Sequence, residues 1–327
     1  MKKSLFLLGA AVAAFASCTN EEVMDMPQNR AINFEAFTNA ATRANAADNE
    51  VTGITDFWVI GQYGYNGTAV DVYNNEFSTK KAWWQPSQTY RFAGYYDGTA
   101  NARIDGATFA PTTGTLTINN YTADNSKDLL AAVSAEVTTD ADVTNEDPVT
   151  MTFNHLLSEV KFTFTTEDSE AHTLTISNLK INGAAVQGNV SYNGTATWTP
   201  SGTAGYTLDN IPDVADADAD YTASTAAFVI PQTGTNTFTV TFTATVTGAG
   251  FGETGITGNF SATLDYDGSV EGTTANTWTP GFRYNYTASI SAKDIDPDLE
   301  DNIIEFTPSV TPWKDADNTT VTPTKQN

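Results

Sequence analysis

Residues 31–37 alternate strictly, with Ile32, Phe34 and Ala36 on one face and Asn33 and Glu35 on the other, which predicts a half-buried strand. Residues 54–65 set Phe57, Val59, Tyr63 and Tyr65 against Trp58, Ile60 and Gln62, predicting a strand covered on both faces. Asn66-Gly67 ends it with a turn pair, and a loop is expected from there to Lys81. Residues 88–96 carry Tyr90, Phe92 and Tyr95, the pattern of a core strand with a break at Gly94. Residues 115–119 and 129–137 predict further short strands, the second fitting a helical turn equally well. In residues 149–164, Val160, Phe162 and Phe164 alternate with Lys161 and Thr163. Leu174 and Ile176 keep one phase while Leu179 and Ile181 keep the other, so a bulge is expected near Asn178. Along residues 238–246 every second position is apolar and every intervening one is threonine, the pattern of a strand with one face on a core and one in water. Residues 256–266, 284–290 and 303–310 complete the run.

Short strands punctuated by glycine, proline and aspartate, with no long helical periodicity, make the chain all-β with the spacing of a β-sandwich. A length of 327 residues suffices for two domains, each with its own core. Residues 138–147 carry acids and no core positions, which places a boundary there and divides the chain into 1–17, 18–43, 44–147 and 148–327. Thr197-Trp-Thr-Pro200 recurs as Thr277-Trp-Thr-Pro280, and a tryptophan followed by proline at a strand entrance reads as a plug for the end of a sandwich.

Lysine plus arginine number 15 against 39 aspartate plus glutamate, a formal charge of −24. Such a surface repels phosphate backbones, which excludes nucleic acid as a partner, and it keeps an exported protein dissolved.

The chain start changes the picture. Lys2 and Lys3, an apolar run over residues 5–15 and the small pair Ala16-Ser17 directly before Cys18 form a secretory signal of the lipoprotein kind. The run is too short for a stable transmembrane helix, so residues 1–17 are expected to be removed and Cys18 to carry acyl chains. Cys18 is the sole cysteine, so once lipidated it leaves no thiol for a disulfide, a redox pair or a thiolate metal site. Residues 38–49 are small and polar around one basic residue, a loop open to an arginine-specific protease at Arg43-Ala44. A cut there leaves the strand of Ile32, Phe34 and Ala36 joined to its domain by non-covalent pairing alone. Its loss would open a sheet edge and an apolar groove, which strand addition from another subunit fills. If each subunit offers both a groove and a strand, contacts run head to tail and the product is a fibre. The donor is sought at the other chain end, in Ile304, Phe306 and Val310 and on to Val321; residues 303–313 fit the last strand of the second domain equally well.

Other constellations point less far. His155 and His172 are the only histidines and neither has a second ligand at metal spacing. Asp267-Gly268, within the acidic stretch 265–271, reads as a hairpin turn, and residues 213–220 as a solvated acidic loop. No nucleophile elbow, phosphate loop or His-Glu-x-x-His motif occurs, so a non-enzyme without cofactor or metal is expected. Trp83, Trp84, Tyr95 and Tyr96 could offer stacking faces to a glycan or could be core.

Several segments in order resemble the fimbrillin family, the subunits of type V pili. They are the signal ending at Cys18, residues 32–37 followed by Ala41-Thr-Arg-Ala44, Trp84-Gln-Pro86 with residues 90–96, and residues 153–162 (FNHLLSEVKF). Phe228-Val-Ile-Pro-Gln232, residues 278–286 and residues 304–313 complete the set. The resemblance implies two transthyretin-like β-sandwich domains in tandem, export to the outer membrane as a lipoprotein anchored at Cys18, and cleavage at Arg43-Ala44 by an arginine-specific protease. Assembly with other pilin subunits by strand exchange follows, at the cell surface. A pilus tip or accessory adhesin with a host surface ligand, and a surface glycan-binding lipoprotein, are the alternative expectations.

Overall fold

The computed structural model describes residues 32, 34–38, 57–62, 69–74, 79–80, 84–98, 103–142, 147–166, 172–208, 211–215, 223–232, 238–248, 250–296 and 306–312. Its elements are almost all strands. The first half holds β1 (Phe34–Thr38), β2 (Trp58–Gln62), β3 (Ala69–Asn74), β4 (Thr79–Lys80), β5 (Thr89–Tyr90), β6 (Phe92–Tyr96), β7 (Ala107–Ala110), β8 (Thr115–Thr122), β9 (Leu130–Val133) and β10 (Val137–Thr138). The middle of the chain gives β11 (Val149–His155), β12 (Ser158–Thr165), β13 (His172–Asn182), β14 (Gln187–Tyr192), β15 (Ala196–Ser201) and β16 (Tyr206–Leu208). The rest gives β17 (Val214–Ala215), β18 (Ala223–Val229), β19 (Phe238–Gly248), β20 (Gly252–Leu264), β21 (Phe282–Ser289), one helical turn α1 (Ala292–Ile295) and β22 (Thr307–Pro312).

The first half builds a seven-stranded sheet in the order β1-β11-β9-β6-β2-β3-β4. Because alternate side chains point to opposite faces, its strands feed two cores at once. On one face Ile60, Ala93, Tyr95 and Ala131 meet Phe109, Leu116, Ile118, Val190, Tyr192 and Trp198 from the four-stranded sheet β15-β14-β8-β7. On the other face Val59, Phe92, Leu130 and Ala132 gather with Val149, Met151 and Phe153 under Ile32, Phe57, Trp84 and Tyr90. A third core lies between β18-β12-β21-β22 and β16-β13-β19-β20, with β17 also on β13. There the alternation of residues 238–246 is realised in full, apolar positions buried and threonines facing out.

The sheets correct the expected boundary at residue 147. Strand β11 lies beyond it yet belongs to the seven-stranded sheet, and the β14–β15 hairpin completes a sheet with β8 and β7. Leu156 and Leu157, both buried, carry the chain from β11 into β12 and the third core. The expected loop before Lys81 contains β3 and β4. Within residues 129–137, residues 130–133 form β9 and Val137 opens β10, with no helical turn between them. The bulge is where the phase change puts it: the β13–β19 ladder shifts between Ser177 and Lys180, and Asn178 has φ 53°. Asp267-Gly268 makes a turn, Ser269 N donating to Asp267 Oδ1 at 2.9 Å, but no hairpin, because β20 and β21 belong to different sheets.

Candidate functional site: an edge strand and the cleft it fills

Strand β1 is the terminal strand of the seven-stranded sheet and runs parallel to β11, with Phe34 opposite Val149, Ala36 opposite Met151 and Thr38 opposite Phe153. The period of two in both segments decides which residues meet the core. Ile32 is 2% exposed, Phe34 and Ala36 are half-buried, and Glu35 faces solvent. The Phe34 ring meets Phe92 edge-on, centroids 5.1 Å apart. Beneath it Tyr90 stacks on Phe92 and meets Trp84 edge-on, while Phe57 meets Phe153. Without β1, the cleft lined by Phe92, Val149, Met151 and Phe153 would stand open beside the unpaired edge of β11.

Gly94 of β6 makes room for this arrangement. A Cβ there would come within 2.9 Å of Met151 Cε and 3.0 Å of Phe153 Cζ, so the side chains of β11 lie across a position that only glycine leaves free.

Of the other predicted site residues, Cys18, Arg43, Ala44, Ile304 and Val321 lie outside the described residues. Phe306 and Val310 are placed at the edge of the other sandwich. Strand β22 pairs antiparallel with β21, Val310 opposite Tyr284, and Phe306 packs on Phe162, Phe164 and Phe242 at 5.7, 5.9 and 6.0 Å. This is the last-strand arrangement.

The glycan-stacking cluster is corrected. Trp84 and Tyr95 are 1% and 0% exposed and lie on opposite faces of the seven-stranded sheet, so they share no platform; Trp83 lies outside the described residues. Trp198 and Trp278 are likewise buried, Trp198 Nε1 donating to Leu156 O at 2.7 Å and Trp278 stacking on Phe238 at 3.8 Å. His172 lies against Phe251. His155 is paired with Asp128, and the side chains of both are largely buried. Nearby, Arg283 Nε donates to Glu159 Oε2 at 2.5 Å, and burial pushes the Glu159 carboxyl up against the pull of that arginine. Among the described residues no three histidine, cysteine, aspartate or glutamate side chains come together as a metal site.

Residue-level reading of the sequence missed Val149, Met151 and Phe153 as the lining. Their signal was present, since Val149-Thr-Met-Thr-Phe153 has the same period as Ile32-Asn-Phe-Glu-Ala36.

Comparison with solved structures finds similar folds at low identity. A proposed cell-adhesion protein from Bacteroides uniformis is 20% identical, with 87% of this chain and 99% of that one covered and a TM-score of 0.45. One from Bacteroides ovatus is 15% identical, covering 88% and 99% with a TM-score of 0.48. A structure described as proposed polysaccharide-binding proteins from Bacteroides thetaiotaomicron is 11% identical, covering 80% and 91% with a TM-score of 0.43. No curated protein matches the chain. The sequence profile of the fimbrillin-like family matches residues 27–313. The chain therefore belongs to the fimbrillin-like family.

Proposed function

We propose that the chain is a structural subunit of a cell-surface fimbria. In this reading it is exported to the outer membrane as a lipoprotein on Cys18, cut after Arg43 by an arginine-specific protease, and polymerised by strand exchange. Its function is structural, with no catalytic step. The two halves act as transthyretin-like sandwiches in tandem, knitted together by β11 and the β14–β15 hairpin.

One observation carries the reading: β1 is an edge strand whose apolar face closes a cleft, and it is joined to the rest of the chain only through residues 39–56, which contain Arg43. After a cut, nothing covalent holds it. Its departure removes Ile32 and Phe34 from the core, each stabilising by roughly 1.5–3 kcal/mol when fully buried. Backbone pairs worth about 0.5–1.5 kcal/mol each go with them. The exposed edge and groove then template another strand.

The other chain end carries a matching pattern. Ile32-x-Phe34-x-Ala36 at the plug corresponds to Ile304-x-Phe306-x-Pro308 before Val310, so residues 304–310 of a second copy offer the groove a similar set of side chains. Val321 has no such neighbours: residues 319–323 read Thr-Thr-Val-Thr-Pro.

The packing of Phe306 on three rings favours a second reading, a tip or accessory subunit that accepts a strand and keeps its own β22 at home. Full-length chain treated with an arginine-specific protease and run unboiled in detergent separates the two. A ladder of stable multimers is expected of the fimbrial subunit. A clipped species that stays monomeric overturns that reading in favour of the tip subunit.

A further inference from the structure

Strand β11 is held unequally along its length. Residues 149–153 have their ladder with β1, whereas the ladder to β9 consists of Asn154–Ala131 and His155–Leu130. Leu156 N continues that side by donating to Leu129 O at 2.8 Å. The polar anchors cluster at the same end. Asn154 Nδ2 donates to Tyr192 Oη at 2.7 Å, reaching the opposing sheet, and His155 Nδ1 pairs with Asp128 Oδ2. The Asp128 and His155 side chains are 4% and 7% exposed, and Asp128 sits just before Leu129 and Leu130, the residues that meet β11 through the backbone.

We propose that the buried Asp128–His155 pair is the anchor that keeps β11 in position while its outer edge is vacant, so that an incoming strand meets a preformed acceptor. This rests on the strand-exchange reading above. With β1 present, β11 is fixed from two sides. With β1 gone, residues 149–153 keep, among the described residues, their side-chain packing and the anchor at residues 154–156. A hydrogen bond between buried ionisable groups is strong in dry surroundings, and removing Asp128 takes away the partner of His155 Nδ1. Strand addition to a preset edge avoids the ordering cost that a frayed edge would add to binding. Asp128 and His155 are positioning residues; neither meets the incoming strand.

The probe is a labelled peptide of residues 31–38, the chain's own plug, offered to the full chain after cleavage at Arg43. Asp128→Ala should weaken capture of the peptide by about tenfold or more, a change of about 1.4 kcal/mol per decade. In the uncut chain the same substitution should leave the amide protection of β19 unchanged. Tyr192→Phe removes a single oxygen from the second anchor and should weaken capture in the same direction by less, which keeps the test open if Asp128→Ala does not fold. Capture by Asp128→Ala equal to wild type within about twofold would overturn the proposal. So would a fall in β19 protection parallel to that of β11, which would make the pair a general stabiliser. If the wild-type cut chain itself takes up no peptide, the plug reading fails and the anchor falls with it.

Discussion

The two edge strands β1 and β22 carry similar patterns and sit in unlike surroundings. Phe34 of β1 and Phe306 beside β22 are both half-buried, Phe34 against Phe92 and Phe306 against Phe162, Phe164 and Phe242. The core under β1 is one face of the seven-stranded sheet, covered by the segments around Ile32, Phe57 and Trp84 and by the short β5-β10 sheet through Tyr90 and Val137. The core beside β22 is closed by a sheet on each side. Strand β1 ends its sheet and pairs with β11, so it could leave without parting the sheets on either side of a core, which suits the start of the chain to removal in the strand-exchange reading. Its end is suited to staying until another groove offers equivalent burial.

Four measurements sharpen or break this contrast. The largest effect is expected from Phe306→Ala, which should lower unfolding free energy by about 2–3 kcal/mol in denaturant titration, below the range for a fully buried aromatic because the ring is half-buried. Gly94→Val should remove about 1–3 kcal/mol by overpacking, and hydrogen exchange should localise the damage to residues 149–153, because the new side chain meets Met151 and Phe153. Phe34→Ala should lower the stability of the uncut chain by only about 1–2 kcal/mol, less than full burial of a phenylalanine is worth. A loss as large as that of Phe306→Ala would abolish the contrast between the two edges.

The smallest effect at neutral pH concerns the phenols. Burial pushes Tyr206, Tyr284 and Tyr286 of the β22 core, and Tyr121 and Tyr192 of the neighbouring one, above the ordinary value of 10.0. A group raised in the folded state stabilises fully below its unfolded value and loses that contribution as pH rises through the folded one. Stability should therefore fall progressively above about pH 10. In alkaline titration these tyrosines should ionise together with unfolding; free ionisation of all five in the native protein would show the closed core to be open.

What the sequence made legible were faces, and what it hid were neighbours. The alternation at residues 238–246 and the phase change at Asn178 translate directly into burial and a bulge, because a period of two is a local property of the strand. The apolar face of Ile32, Phe34 and Ala36 was legible for the same reason. The parallel pairing of β1 with β11 joins segments more than a hundred residues apart, and no local pattern encodes it. The same blindness misplaced the boundary: acidic residues 138–147 look like a linker, but the strands beyond them return to the first half's sheets. In β3, next to the far edge strand β4, Val70 and Val72 alternate with Asp71 and Tyr73 over too short a stretch to mark a strand.

The return of the β14–β15 hairpin bears on how such a unit carries load. Val190 and Tyr192 of β14, with Trp198 of β15, fill the core shared with β8, and five residue pairs bind β14 to β8. Pulling the halves apart means tearing that ladder and wetting Trp198, not straightening a tether. Under tension the two halves would yield together, because the shared ladder has to break before residue 147 bears load.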